Sequence, residues 1–146
     1  MDKKHLVILI VIVLLCAAAA LAFIFSGERI EKKIQRNSIN AVIITYRRES
    51  HTFTEDSDIS RFCANAVNIK LSRIPEKGAF LNNKSGENFF ITFKYMDGSA
   101  LDLCFNSGFS ACQIGGTDWY RVINPNEAAL LERDLSFAAK KIKKED

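Results

Sequence analysis

Cysteine thiols are the side chains of this 146-residue chain that could most directly carry covalent chemistry. Cys16 lies inside a long apolar block, where a cysteine is most simply a small apolar residue. Cys63, Cys104 and Cys112 lie in the polar remainder, without C-x-x-C spacing and too far apart in sequence for a zinc knuckle. The sequence therefore predicts no metal site. A thiol or redox-active surface protein that uses Cys104 or Cys112 stays open as one function.

A disulfide is a second use of these thiols, and the pleat of the strands bears on it. Cys104 and Cys112 flank a turn, but a hairpin that placed them directly opposite each other would mix apolar and polar side chains on both faces. A two-residue turn at Ser107-Gly108 would pair Leu103 with Cys112, so that Cys112 faces the core and Cys104 faces away. Cys63 would then be the natural partner of Cys112. Either pairing, or none, stays open.

Groups that could support catalysis are few. His5 precedes the apolar block and His51 lies in a predicted polar loop, so the sequence predicts no cysteine–histidine dyad. The acidic run "TEDSD" offers too few oxygen ligands for calcium or magnesium and is typical of a helix start. The pair Gly115-Gly116 leads into a strand, so the context of a phosphate-binding loop is missing. We therefore predict a non-enzymatic protein with no cofactor.

Charge and aromatic side chains narrow the choice of partner. The formal net charge is only +3, and charges beyond the apolar block are nearly balanced, so a nucleic-acid-binding surface is not indicated. Trp119 and Tyr120 are neighbours in one predicted strand and must point to opposite faces. We predict that Trp119, Tyr120 and Phe109 are candidate contact residues for a protein or envelope component.

Residues 6–25 form an apolar block whose only polar side-chain group is the thiol of Cys16. As a helix, the block would be about 30 Å long, which matches the hydrocarbon core of a bilayer. A lipid-attachment site at Cys16 is disfavoured because no small residue precedes it. Cleavage near Ala22 would give a secreted protein. The apolar run nevertheless persists to full spanning length, which favours an uncleaved single-pass signal anchor.

Cations on both sides of the block bear on orientation. Residues 1–5 form a short basic head, and residues 26–37, a predicted juxtamembrane stem, carry Arg29, Lys32, Lys33 and Arg36. A strict count of cations would keep the domain in the cytoplasm, whereas the short lysine-bearing head resembles an exported signal anchor. We expect an extracytoplasmic domain. Ile30 and Ile34 suggest that the stem continues helically for about two turns, and its cations could contact headgroups.

Residues 38–146 are predicted to form one small α+β domain. β-branched and aromatic side chains predict a strand over residues 39–48. A helix follows with Thr54 as its N-cap, and its apolar stripe consists of Ile59, Phe62, Cys63, Ala66 and Val67. Residues 68–87 are predicted to be a long connection that includes at most one short strand.

Two alternating stretches predict a hairpin formed by residues 89–95 and 101–105. A three-residue loop over residues 97–99 would place Tyr95 opposite Leu101 and bring both apolar faces to the same side. The segment "TDWYRVI" supplies a further strand.

The last helix is predicted to open on a capping box of Asn124, Pro125 and Glu127. It carries an apolar stripe made by Ala128, Leu131, Leu135, Ala138 and Ile142. The lysines at its C-terminal end oppose the helix dipole. We therefore predict an N-terminal transmembrane helix followed by an antiparallel sheet that two helices cover on one face.

Four stretches in this order resemble the YhfM-like domains of Gram-positive cell-surface lipoproteins and anchored proteins: "AVIITY", "TEDSDISRF", "FFITFKYMDGS" and "GGTDWYRVI" with the helix that follows. The resemblance covers about residues 39–135, and the missing lipobox is a departure from it. It implies a bacterial surface location and this fold. Such domains have no agreed activity, so it implies no function.

Three functions follow as hypotheses. The first is a membrane-tethered, non-catalytic domain that binds a protein or envelope component through the open face of the sheet or the connection 68–87. The second is the thiol protein described above. The third is an accessory subunit or inhibitor of a membrane protein, in which the small residues of "CAAAALA" let the span approach another helix closely.

Overall fold

A computed structural model of the chain describes residues 3–35, 38–76, 88–116 and 118–142. Its first element is α1, Lys3–Phe25, an apolar helix of 23 residues. The rest of the chain buries none of its apolar window, and α1 is the one described helix long and apolar enough to cross a membrane. Membrane anchors and signal sequences share these properties.

Within the described ranges, eight strands follow α1 and make two antiparallel sheets. The strands are β1 (Glu28–Arg29), β2 (Ile39–Tyr46), β3 (Glu49–Phe53), β4 (Lys70–Leu71), β5 (Phe89–Tyr95), β6 (Ala100–Phe105), β7 (Ala111–Ile114) and β8 (Trp119–Arg121). The main sheet has the order β3-β2-β5-β6-β7-β8, and β1 pairs with β4 separately. The connections within the main sheet are short, except where α2 and β4 intervene between β3 and β5.

Helices α2 (Asp56–Val67) and α3 (Pro125–Ile142) cover one face of the main sheet. The predicted α2 stripe is buried in full, and so are Ala128, Leu131, Leu135 and Ala138 of α3. Each large apolar side chain buried in this way contributes about 1.5–3 kcal/mol. The predicted α+β class, with an antiparallel sheet covered on one face by two helices, is confirmed.

Both helix starts differ in detail from the prediction. Glu55, not Thr54, is the N-cap of α2, and it makes no side-chain capping bond. At α3, the main-chain oxygen of Asn124 accepts from Glu127 N at 3.2 Å. The Asn124 side chain instead joins separate segments, because its Oδ1 accepts from Lys70 N (2.7 Å) and its Nδ2 donates to Asn68 O (2.8 Å).

A tight turn at Arg47-Arg48 creates a strand that the sequence did not predict. Both arginines have positive φ values, 54° and 68°, and Tyr46 pairs with Glu49 across the turn. A two-residue turn of this kind returns the chain directly along β2. His51, placed by prediction in a polar loop, therefore lies in β3.

The two later hairpins keep the predicted faces but not the predicted registers. Phe93, not Tyr95, lies opposite Leu101, so the first loop is shifted by one residue toward the N-terminus. Ile114, not Cys112, lies opposite Leu103 in the second hairpin. Both slips move the partner by two residues, which preserves the side to which every side chain points.

The second turn is built around a buried asparagine. Asn106 Oδ1 accepts from Ser110 N (2.9 Å) and Ala111 N (3.1 Å), and its amide donates to Ser110 Oγ. These bonds hold Phe109 at a φ of 50°. The Phe109 ring packs into the core, 5.3 Å from the Phe89 ring and 5.0 Å from the Phe105 ring.

The described part of the predicted juxtamembrane stem, residues 26–35, contributes to the folded domain. The predicted two helical turns are replaced by β1 and a single 3₁₀ helix, Ile30–Lys33. Ile30 and Ile34 are both buried in the core. Just before them, Gly27 adopts a φ of 64°, which glycine reaches without strain.

The connection after α2 runs beside the last strand of the sheet. β4 is the short strand that the prediction includes in this connection. Residues 72–76 then run alongside β8 in space. Ser72 N donates to Arg121 O and Glu76 N donates to Trp119 O, both at 2.8 Å. The rest of the predicted connection, residues 77–87, lies outside the described residues.

Candidate functional site

The face of the main sheet opposite α2 and α3, which we call the open face, carries one row of side chains that crosses every strand. Successive residues of this row are directly paired partners. In sheet order, the cross-strand row consists of Ser50, Thr45, Phe90, Cys104, Gln113 and Trp119. The row exists because strand alternation gives these residues the phase opposite to that of the side chains that point into the core.

The cross-strand row is uncharged along its whole length and has an aromatic side chain at its centre. Phe90 is 45% exposed, although it lies in a strand with strongly buried neighbours. Thr45 and Ser50 share a hydroxyl hydrogen bond of 2.7 Å at one end. Half-buried Trp119 lies at the other end, where its main chain pairs with that of Glu76 in an antiparallel β-bridge. An exposed phenylalanine among uncharged neighbours is typical of a protein contact surface.

Charged groups lie beside the row and not within it. Thr92 Oγ1 donates to the Asp102 carboxylate in the next row of the sheet. Arg121 Nε and Glu76 Oε1 form an ion pair of 2.9 Å at the β8 edge. An uncharged centre with polar and charged residues at its margin is the arrangement found in many protein interfaces.

The three predicted contact residues are not brought together by the fold. Trp119 and Tyr120 point to opposite faces as predicted, and only Trp119 lies on the cross-strand row. Tyr120 packs against the core side of the sheet. Phe109 is a buried core residue, because the Asn106 turn folds its ring inward. It therefore cannot contact a partner.

Sequence reasoning missed Phe90, although a signal for it was present. The alternation of residues 89–95 assigns Phe89, Ile91, Phe93 and Tyr95 to the core side. Phe90, the remaining phenylalanine of this stretch, is in the opposite phase and must then lie on the open face. A large apolar residue in a position that favours polar side chains was the available sign of a contact role.

The side chains of Cys104 and Cys112 point to the faces of the sheet that strand alternation predicted. Cys112 and Cys63 are buried in the core, whereas Cys104 belongs to the open face and is covered by its neighbours. All four cysteines lie within the described ranges and carry thiols. Burial raises the pKa of Cys104 to about 11 and raises the pKa of Cys112 further.

These pKa values bear on the thiol hypothesis. The thiolate is the reactive form of cysteine, and catalytic cysteines have pKa values below the ordinary one. Cys104 and Cys112 are shifted in the opposite direction, so both are protonated at neutral pH.

Among the described residues, no group of three or more His, Cys, Asp or Glu side chains is placed to hold a metal ion.

Comparisons with protein-family models, with curated proteins and with solved structures find no match for this chain. The resemblance to YhfM-like domains therefore stays a prediction.

Proposed function

We propose that this protein is a single-pass, membrane-tethered binding module without catalytic activity. Helix α1 is its uncleaved anchor, and the domain lies on the extracytoplasmic side of the membrane. The cross-strand row on the open face contacts a protein or another envelope component. The observation that carries the proposal is exposed Phe90 at the centre of an uncharged row that crosses six strands.

The anchor is supported by the length and exposure of α1. Its 23 residues would extend about 35 Å, enough to cross the hydrocarbon core. A soluble protein with a helix of this composition would have to bury it, whereas the domain leaves its apolar window uncovered. The tight attachment of the domain directly after α1 also favours retention of the helix, since Gly27 is already packed inside the fold.

Sidedness is tested with a cysteine at an exposed position. Met96 is 71% exposed and lies in the β5–β6 loop, so Met96→Cys offers a reactive thiol in a domain whose three native thiols are buried. The fourth native cysteine, Cys16, lies within α1. A membrane-impermeant maleimide should label Met96→Cys in intact cells, and wild type measures the background. Labelling only after permeabilisation would place the domain in the cytoplasm. Release of the full-length chain from membranes by carbonate would contradict the anchor.

The contact surface is tested by two matched substitutions. Phe90→Ser and Phe137→Ser remove similar exposed rings, 45% and 57% accessible, from the open face and from α3. After crosslinking in intact cells, Phe90→Ser should lower the recovered partner about tenfold, the loss typical of an aromatic interface residue. Phe137→Ser should leave recovery unchanged. Equal losses, or loss only with Phe137→Ser, would contradict a contact at the cross-strand row.

The same assay separates the alternative in which α1 itself is the interface. Replacement of residues 6–25 by an unrelated spanning helix should preserve partner recovery if the open face makes the contact. Loss of recovery with a correctly inserted foreign helix would favour the accessory-subunit function.

A further inference from the structure

The domain edge next to the end of α1 is fixed to that helix by Arg73. Arg73 Nε donates to Phe23 O at 3.0 Å, and its guanidinium lies 3.9 Å from the centre of the Phe23 ring. Carbonyl groups at a helix C-terminus carry partial negative charge, and an aromatic face also attracts a cation. Because Phe23 belongs to the apolar block, Arg73 lies at the boundary between hydrocarbon and headgroups if α1 spans a bilayer.

An exposed apolar side chain lies at the same edge. Ile74 is 56% exposed, and it lines a cavity together with Ile24 and Phe25 at the end of α1. Such an apolar side chain suits the acyl side of a membrane interface. The edge of the domain around residues 72–76 therefore carries an apolar side chain beside the end of α1.

Arg73 also lines a second cavity, which is a cationic cleft. It has a volume of about 340 Å³ and is lined by the cations Arg29, Lys33 and Arg73, with Tyr120 beside them and Leu71 among its apolar residues. Among the described residues that line the cleft, Glu28 is the one acidic residue, and its carboxylate lies 3.9 Å from the Arg73 guanidinium. Three cations against one anion leave the cleft with a net positive charge.

We propose that this cleft binds the phosphate of an anionic membrane lipid headgroup. Two guanidinium groups and an ammonium can surround a phosphate, and a tyrosine hydroxyl can donate a further hydrogen bond to it. The apolar residues of the lining suit the part of the lipid that leads into its acyl chains. Arg29 follows Phe25 by four residues, so it lies within about 14 Å of the helix end. The proposal rests on α1 spanning a membrane, which belongs to the proposed function.

The test uses the full chain in nanodiscs made of phosphatidylcholine with an equal amount of phosphatidylglycerol. Native mass spectrometry then counts the lipids that stay bound to the protein. Wild type should retain phosphatidylglycerol in preference to phosphatidylcholine. The double substitution Arg29→Gln/Lys33→Gln should reduce that preference by about tenfold or more, since each cation near an anionic surface contributes to binding.

The control is Arg47→Gln/Arg48→Gln, which removes the same charge from two exposed residues in the β2–β3 turn. It should keep the lipid preference within about twofold of wild type. Equal loss in both double variants would overturn the cleft in favour of a general charge effect. Thermal unfolding of each variant confirms that the domain is folded.

Two further outcomes are distinct. Excess inorganic phosphate should leave the retained lipid in place, and its displacement would assign the cleft to a soluble phosphate compound and overturn the lipid source. A chain that inserts into nanodiscs but shows no lipid preference contradicts the cleft alone. A chain that does not insert contradicts the anchor and the cleft together.

Discussion

Replacement of Gly27 by alanine should lower the free energy of unfolding of the domain more than any other glycine-to-alanine change at a described position. A Cβ atom at this position would lie 2.2 Å from Ile123 Cδ1 and 2.7 Å from the main-chain oxygen of Leu71. The Ile123 side chain can rotate away, but Leu71 belongs to β4, which pairs with β1 directly after Gly27. The carbonyl contact is therefore the one that the protein cannot relieve cheaply.

The magnitude has two parts. Alanine in the left-handed region costs about 1 kcal/mol, because its Cβ approaches the following carbonyl oxygen. Forcing an extra methyl group into a packed position costs a further 1–3 kcal/mol, roughly the range seen for overpacked cores. We expect Gly27→Ala to lower the free energy of unfolding by about 2–4 kcal/mol.

Two other glycines separate these parts. Gly98 also has positive φ, 86°, but a Cβ there would meet open space, so Gly98→Ala should cost about 1 kcal/mol. Gly108 has neither constraint, and Gly108→Ala should be close to neutral. The double variant Gly27→Ala/Ile123→Val removes the Cδ1 contact and should recover little stability.

Urea unfolding of the full chain in detergent micelles measures these changes, with the single tryptophan, Trp119, as the fluorescent probe. Equal effects of Gly27→Ala and Gly98→Ala on the free energy of unfolding would refute the close approach of Gly27 to the Leu71 carbonyl. Full rescue by Ile123→Val would show that the side chain, not the Leu71 carbonyl, is the obstacle.

Three further predictions concern the turns and the thiols. Arg47→Asn/Arg48→Gly should raise the free energy of unfolding by about 1–2 kcal/mol, because both arginines hold positive φ values that Asn and Gly adopt readily; no gain in urea unfolding would contradict a strained turn. Asn106→Ala should lower that free energy by about 1–3 kcal/mol, because the buried Ala111 N–H loses its acceptor, and an unchanged urea midpoint would contradict this. Cys104 should react slowly with iodoacetamide at neutral pH and faster as the pH approaches its pKa of about 11. In the unfolded chain the Cys104 thiol has its ordinary pKa of about 9, so it loses its proton at lower pH than in the folded domain. The free energy of unfolding should therefore fall as the pH rises above about 9. Rapid labelling of the folded protein at neutral pH would contradict the burial of Cys104.

Local pattern could predict the faces of the elements because each face is a property of one segment. The period of the apolar residues places Phe62 of α2, Leu131 of α3 and Phe93 of β5 toward one core, and all three are buried there. These predictions needed no knowledge of neighbouring strands.

Register could not be predicted in the same way. A slip of two residues keeps every side chain on its face, so apolar pattern cannot distinguish Phe93 from Tyr95 as the partner of Leu101. Turn geometry makes that choice, and in the second hairpin it depends on buried Asn106. The cross-strand row required all of these registers at once, which is why the sequence could not predict it.

The spacing of Ile30 and Ile34 illustrates a second limit. Two isoleucines four residues apart fit one side of an α-helical stem, but in the structure Ile30 begins a 3₁₀ helix and Ile34 is the extended residue that ends it. Ile30 and Ile34 are buried because their segment packs against α2 and β4. Both of these elements lie far from it along the chain. Local spacing contains no information about that contact.

A photo-crosslinking scan of the open face in living cells tests the central claim most directly. Photoreactive residues replace Thr45, Phe90 and Gln113 of the cross-strand row one at a time, with Phe137 on α3 as the control. Membrane fractions should give the same crosslinked species from all three row positions and none from Phe137. Crosslinks from Phe137 alone, or from none of the row positions, would contradict a binding module that acts through its open face.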